Sequence, residues 1–182
     1  AARGLEYIAI TDHSRALAMA NGLDEERALA HAARIRALNG RRKGLTLLAG
    51  IESDILADGR MDLSDDCLSR LDIVIGSVHS ALTQTEQEMT ARLIRAIEHP
   101  SVDIIGHPTN RRLLRRQASQ VHIEKVIDAP ARNGVALEIN CNPERLDLSD
   151  SHARLARDRG VKLVISTDAH STTELDLRRW GV

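Results

Sequence analysis

The chain predicts a parallel-sheet α/β fold whose natural form is a closed barrel. Two observations carry that expectation. Six apolar runs alternate with helical patterns, with no linker, repeat or low-complexity segment between them. Five of those runs end on a residue able to bind a divalent cation. His, Glu and Asp thus stand at the carboxyl ends of successive strands, the face on which barrel active sites are built.

The elements follow in order along the chain. Ile8-Ala9-Ile10 is the first strand and leads into Thr11-Asp12-His13. Asp24 to Asn39 has helical spacing, with Ala28, Leu29, Ala32, Ile35 and Leu38 on one face and Glu25, Glu26, Arg34 and Arg36 largely opposite. Asn39-Gly40 ends that helix. Leu45 to Ile51 is the second strand and runs into Glu52, and Asp58-Gly59 predicts a hairpin back to Met61-Asp62-Leu63. A short helix from Ser64 to Arg70 precedes the third strand, Ile73 to Val78, which ends at His79. Glu86 to Glu98 is the next helix, carrying Met89, Leu93, Ile94 and Ile97, and Pro100 stops it. The fourth strand, Val102 to Gly106, ends at His107. Ser119 to Asn133 reads as a helix capped by Gly134, which Pro130 should kink or shorten. Val135 to Asn140 is the fifth strand, Ser149 to Arg159 a helix, and Leu163-Val164-Ile165 the sixth strand, running out to Ser166-Thr167-Asp168-Ala169-His170.

At the start, Ala1-Ala2-Arg3-Gly4 reads as the last turn of a helix closed by Gly, and at the other end Arg178-Arg179-Trp180-Gly181-Val182 stops in mid-pattern. Six strands is one or two short of a closed barrel. The expectation is therefore that a first βα unit of roughly 25–30 residues is missing from the start.

Bulk properties exclude several classes. At 182 residues the chain suits one domain with a real core. A formal net charge of -1 gives no global attraction to nucleic acid or anionic membrane, so any polyanion must be held by local patches. With one Trp, one Tyr and no Phe, the core is aliphatic and a stacking platform for bases is not expected. Cys67 and Cys141 do not make a disulfide framework, which fits a reducing, cytoplasmic location. No apolar run approaches the roughly 20 residues needed to span a bilayer, and no signal peptide is visible.

Imidazole and carboxylate together suit zinc, manganese or iron. A carboxylate such as Glu52 can bridge two cations about 3.5–4 Å apart, an arrangement suited to in-line displacement at phosphorus. Hydrolysis of a phosphoester is the reaction class that best uses such ligands. Each residue also has a plainer reading: His13 could cap a helix beside Thr11 or Ser14, and a strand-end acid such as Glu52 is common. The joint pattern would need five coincidences. His31, His99, His122 and His152 read as surface residues; Cys141, just after the fifth strand, could touch the site but reads rather as a small buried apolar residue. The basic cluster Arg111, Arg112, Arg115 and Arg116 reads either as a solvated face or, placed just after His107, as a phosphate-binding rim.

Ile10-Thr11-Asp12-His13-Ser14, Gly50-Ile51-Glu52, Ser77-Val78-His79-Ser80, Gly106-His107-Pro108 and Ser166-Thr167-Asp168-Ala169-His170 resemble, in order, the motifs of PHP (polymerase and histidinol phosphatase) domains. Ala20-Asn21-Gly22-Leu23, Glu88-Met89-Thr90-Ala91-Arg92, Arg112-Leu113-Leu114, Glu138-Ile139-Asn140 and Arg145-Leu146-Asp147-Leu148 are similar to the C-terminal PHP domain of bacterial X-family DNA polymerases (PolX) with 3′–5′ exonuclease activity. The resemblance covers nearly the whole chain, residues 1–182 as one metal-dependent phosphoesterase domain. It implies a distorted (β/α)7 barrel with up to three divalent ions, manganese first, zinc or iron otherwise. By motif, Glu52 would bridge two metals, His79 and His107 would complete the second metal's shell, Asp168 would join Glu52 on the first, and His13 and His170 would serve the third. Glu52, His79, Asp168 and His170 would carry catalysis. The implied partners are a DNA 3′ end, with Arg111, Arg112, Arg115 and Arg116 toward its phosphates, and a polymerase module in the intact protein. The family's opening His-x-His strand and following acid have no counterpart here, which leaves the first metal two ligands short and the third without its carboxylate. Asn110 stands where the family pattern has Gly.

Overall fold

Six parallel strands lie side by side in sequence order in one sheet. They are β1 (Tyr7–His13), β2 (Thr46–Asp54), β3 (Ile73–Ser77), β4 (Ile104–Ile105), β5 (Ala136–Asn140) and β6 (Lys162–Ser166). The computed structural model describes residues 4–39 and 44–181. The expectations for Ala1 to Arg3, for Gly40 and for Val182 lie outside the described residues.

Between strands run α1 (Glu25–Asn39), α2 (Asp65–Ser69), α3 (Glu86–Ile97), α4 (Ile123–Asn133) and α5 (Asp150–Asp158). The order βαβα with neighbouring parallel strands is what the alternation of apolar runs and helical periods predicts. The sheet is curled into a half-barrel: Tyr7 on β1 and Val164 on β6, its two outer strands, line one apolar cavity of about 670 Å³ together with Leu48, Ile73 and Ile104.

Period-2 alternation sorts each strand between two layers. Ile51, Val74, Ile105 and Leu137 face the helices and pack with Leu93, Ile97, Val126 and Ile127 in the main core. Ile75, Ile104 and Ala136 cluster on the other face, toward the half-barrel's hollow. β4 is short by assignment, yet Asp103 N–H donates to Val74 C=O at 3.0 Å and Gly106 N–H to Gly76 C=O at 3.0 Å, so its ladder reaches beyond two residues. The Asp58-Gly59 turn forms as predicted, with Gly59 at φ +87° and Leu56 N–H donating to Arg60 C=O at 2.7 Å.

Three expectations differ. Leu38, placed on the apolar face of α1, is 41% exposed, because buried contact on that helix ends at Ile35. α4 begins at Ile123 rather than Ser119, since Ser119 N–H is drawn to Thr109 C=O at 2.8 Å and His122 N–H to Thr90 Oγ1 at 2.9 Å. Pro130 does not end that helix: it is buried within it, and the helix runs on to Asn133 before Gly134 closes it at φ +75°. A proline removes one backbone donor, and burial of its ring against the core offsets that loss.

Leu137 is fully buried between sheet and helices. Leu137→Ala is expected to destabilise the chain by about 2–5 kcal/mol. Urea unfolding followed by far-UV circular dichroism checks this, and an unchanged midpoint would contradict the packing described.

Candidate metal centre

Strand geometry delivers the donors. Glu52 and Asp54 lie two apart on β2 and share a face, while Ile51 and Ile55 point into the helix-packed core. Parallel register sets His13 beside Glu52 across β1 and β2. His79 and His107 follow the ends of β3 and β4 by two residues each. His107 N–H is turned back onto Glu138 Oε2 on β5 at 2.5 Å, and His107 itself takes φ +29°.

Three imidazoles converge on the Glu52 carboxylate. His107 Nε2 lies 3.1 Å from Oε1, His79 Nε2 3.5 Å from Oε1, and His13 Nδ1 3.2 Å from Oε2. Ring centroids of His13 and His79, and of His79 and His107, are 5.2 Å apart. Burial alone would push the Glu52 carboxyl up. The His107 hydrogen bond and the charges of His107, His79 and His13 outweigh it and hold the group well below the usual carboxylate range. His107 is fully enclosed, which would lower its basicity, but the bond to Glu52 and that carboxylate's charge raise it. His13 moves the other way, lowered by burial ahead of the opposing pull of Glu52.

The donor set fits a divalent cation. One ligand atom from each of His13, Glu52 and His79 lies within 4.8 Å of the others. His13 Nδ1 and His107 Nδ1 are buried with no hydrogen-bond partner among the described residues, although His13 Nδ1 is close to Glu52. His13 Nδ1 thus approaches the Glu52 carboxylate without a hydrogen bond, as two donors to one cation would. Mixed nitrogen and oxygen donors suit zinc, manganese or iron.

Asp168 and His170 line the same cavity of about 460 Å³ as His13 and Glu52, with Thr11 and Asn21 on its rim. The His170 ring lies 5.7 Å from that of His13 and its side chain is 66% exposed. Asp168, at φ +51°, accepts from Asn140 Nδ2 at 3.1 Å and faces Arg145 Nε at 3.3 Å. Four of the six predicted ligands, Glu52 with His13, His79 and His107, thus come together, while His170 and Asp168 line the same cavity, Asp168 with its carboxylate on a guanidinium.

The four predicted phosphate-binding arginines are all engaged within the protein. Arg111 donates to the carbonyls of Arg145 and Leu146, and Arg116 to that of Asn110. Arg112 and Arg115 both reach Glu144, with side chains 40% and 64% exposed. Of the histidines expected on the surface, only His122 is exposed; His31 pairs with Asp12 at 2.8 Å and His99 with Asp65 at 3.1 Å, while His152 is half-buried. Cys141 is buried, as expected.

No family model matches the chain. The DNA polymerase/3′-5′ exonuclease PolX of Bacillus subtilis (strain 168) is 45% identical over 180 residues, covering 99% of this chain and 32% of that protein. A "Probable phosphatase" of Thermoanaerobacter sp. (strain X514) is 32% identical over 178 residues, covering 92% of this chain and 68% of that protein. The chain belongs to the PHP family. It spans about a third of the length of the Bacillus PolX. In fold it is similar to the crystal structure of histidinol phosphate phosphatase from Lactococcus lactis, complexed with Zn, L-histidinol and phosphate, at TM-score 0.61 and 15% identity, covering 99% of this chain and 82% of that one.

In this PHP chain Asn110 sits at φ +59° and is buried, so it adopts the left-handed conformation for which Gly is otherwise chosen. Residues to which the sequence assigned no role also surround the site. Asp54 holds the His79 ring, and Arg145 and Asn140 hold Asp168. Glu138 is fully buried beside His107, and burial pushes its carboxyl up to about 7; the charge and N–H of His107 oppose that shift, and Asp168 and Glu52 add to it. For Asp54 the signal was its i+2 spacing from Glu52, and for Glu138 its inward place on β5.

A carboxyl held at about 7 when folded and 4.5 when unfolded stabilises the fold fully below 4.5, and that contribution is lost as pH rises through 7. In chelator-treated protein this is worth about 3 kcal/mol. Glu138→Gln keeps the acceptor without the proton equilibrium. Urea unfolding at pH 5 and pH 8 should show the variant gaining on the parent at pH 8, and equal pH dependence of the two would contradict the burial argument.

Proposed function

We propose that residues 1–182 act as a metal-dependent phosphoesterase domain hydrolysing phosphodiester bonds at DNA 3′ ends, as the PHP domain of a PolX-type DNA polymerase in repair. The convergence of His13, His79 and His107 on buried Glu52 carries the hydrolytic reading. The 45% identity to PolX along 99% of the chain favours DNA over a small phosphomonoester. The runner-up is a phosphatase for a small phosphomonoester such as histidinol phosphate, favoured by the likeness to phosphatases that this chain covers to 68%. The third reading is a scaffold or DNA-docking domain in which metal serves folding only.

Glu52, His13, His79, His107, Asp168 and His170 would hold the cations, manganese first, with zinc or iron as the alternatives the same donors accept. Bound there, divalent ions supply Lewis acidity and a water deprotonated near neutral pH. The chain's own residues do the rest. Glu52 stays ionised because three imidazoles surround it, so the centre presents a permanent anionic oxygen pair. Burial lowers the basicity of the His13 ring ahead of the opposing pull of Glu52, which favours its neutral, metal-binding form. Asn140 and Arg145 hold Asp168 at the cavity wall. Arg112 and Arg115, the two loop arginines whose partner is the surface residue Glu144, are those able to exchange it for DNA phosphates, while Arg111 and Arg116 brace the loop. A polymerase module in the same protein would deliver the DNA, which fits a domain whose net charge is only -1.

Purified chain should carry at least one cation per molecule by elemental analysis; less than one would count against the reading. With manganese added, it should shorten 3′ ends of single-stranded DNA faster than it releases phosphate from histidinol phosphate. Glu52→Gln should reduce that activity by on the order of 100-fold or more, since it removes the shared carboxylate. Faster turnover of histidinol phosphate would favour the phosphatase, and bound metal without either activity the scaffold.

A further inference from the structure

A ring that offers one nitrogen to a cation must have the other nitrogen's proton placed, because the two tautomers are otherwise nearly equal. Among the described residues, His79 is the one of the three imidazoles at Glu52 whose other ring nitrogen has a hydrogen-bonded carboxylate. Its Nδ1 lies 2.8 Å from Asp54 Oδ1, while Nε2 lies 3.5 Å from Glu52 Oε1. The far nitrogen of His107 has no partner among the described residues. Asp54 ends β2, and its side chain is only 4% exposed, against 13% for His79.

The Asp54–His79 pair is held from behind. Arg92 on α3 is 1% exposed, and its guanidinium reaches both chain segments that follow the pair. Its Nε and Nη2 donate to the carbonyl of Ile55, the residue after Asp54, Nε at 3.2 Å. Its Nη1 donates to the carbonyl of Ser80, the residue after His79, at 3.0 Å and to Gln84 Oε1 at 2.9 Å. The planar fork of Arg suits a clamp on two strands' ends, which a single ammonium could not span. Asp54 N–H is fixed in turn on Ser14 Oγ at 2.9 Å, one residue beyond His13.

We infer that Asp54, backed by the buried Arg92 clamp, is the positioning residue of the centre: it takes the Nδ1–H of His79 and leaves Nε2 as the lone pair beside Glu52. This rests on the reading of the centre as a cation site. It assigns to Asp54 the orientation of one donor, and no contact with substrate.

The test has readouts that a structural carboxylate would not move. Ring ¹⁵N shifts of His79 in the chelator-treated chain should show the Nδ1–H form; an Nε2–H form overturns the inference by itself. Zinc affinity, measured by competition with a chromophoric chelator, should fall about 10–100-fold in Asp54→Ala, with His79 losing its single tautomer. Asp54→Asn, which keeps an oxygen acceptor, should recover most of that loss. Equal zinc affinity in Asp54→Ala and the parent overturns the positioning role alone. A parent chain that binds no zinc overturns the cation reading and this inference with it. If Asp54→Ala does not fold, the tautomer of the parent and the affinity of Asp54→Asn still decide.

Discussion

A carboxylate buried at the mouth of a half-barrel is the constraint on which the rest depends. Burying Glu52 in its ionised form is costly, and three imidazoles from three other strand ends offset that cost. That requirement ties the site to the register of the sheet. His13 meets Glu52 because β1 and β2 pair at those positions, and His79 and His107 arrive because β3 and β4 extend the same ladder. A one-residue slip of β2 would send Glu52 into the helix-packed layer and bring Ile51 to the cavity. Fold and candidate chemistry are therefore stabilised by the same pairing.

Around the histidines lies a layer of groups that hold them and Asp168 in place. Asp54 orients His79, Glu138 receives the His107 amide, and Asn140 with Arg145 restrains Asp168. Beneath them the wall is aliphatic, with Ile75 and Ile104 where aromatic residues are lacking. An apolar floor keeps water from screening the charges above it, which strengthens every electrostatic contact at the strand ends.

The strands were legible because their apolar runs are short and end on donors, and the helices because the period changes from 2 to 3.6. The candidate ligands were legible for the same reason: β-strands carry sequence order directly into spatial order. Other features depend on tertiary contacts that no local pattern encodes. Arg92 carries a charge on the buried face of α3 beside Met89 and Ala96, and two carbonyls and Gln84 satisfy it there. Pro130 reads as a helix breaker until the core that covers it is known. The start of α4 was misplaced because Thr109 and Thr90, distant in sequence, take the amides that would have opened the helix earlier.

The arginine loop shows the same principle at the rim. As a sequence it is a run of like charge, for which solvation and phosphate binding are equally plain readings. In three dimensions its charges divide. Arg111 grips the carbonyl of Arg145, whose own side chain faces Asp168. Arg116 grips the carbonyl of Asn110, whose amide donates to the carbonyl of Val78 beside His79. Two arginines thus hold Arg145 and Asn110, whose side chains in turn reach Asp168 and the carbonyl of Val78 beside His79, and two face outward against Glu144. A loop braced in this way transmits its position to the donors, because each link is a hydrogen bond to backbone next to a candidate ligand or its holder. Displacing the rim would break hydrogen bonds made beside the residues that hold the candidate ligands in place.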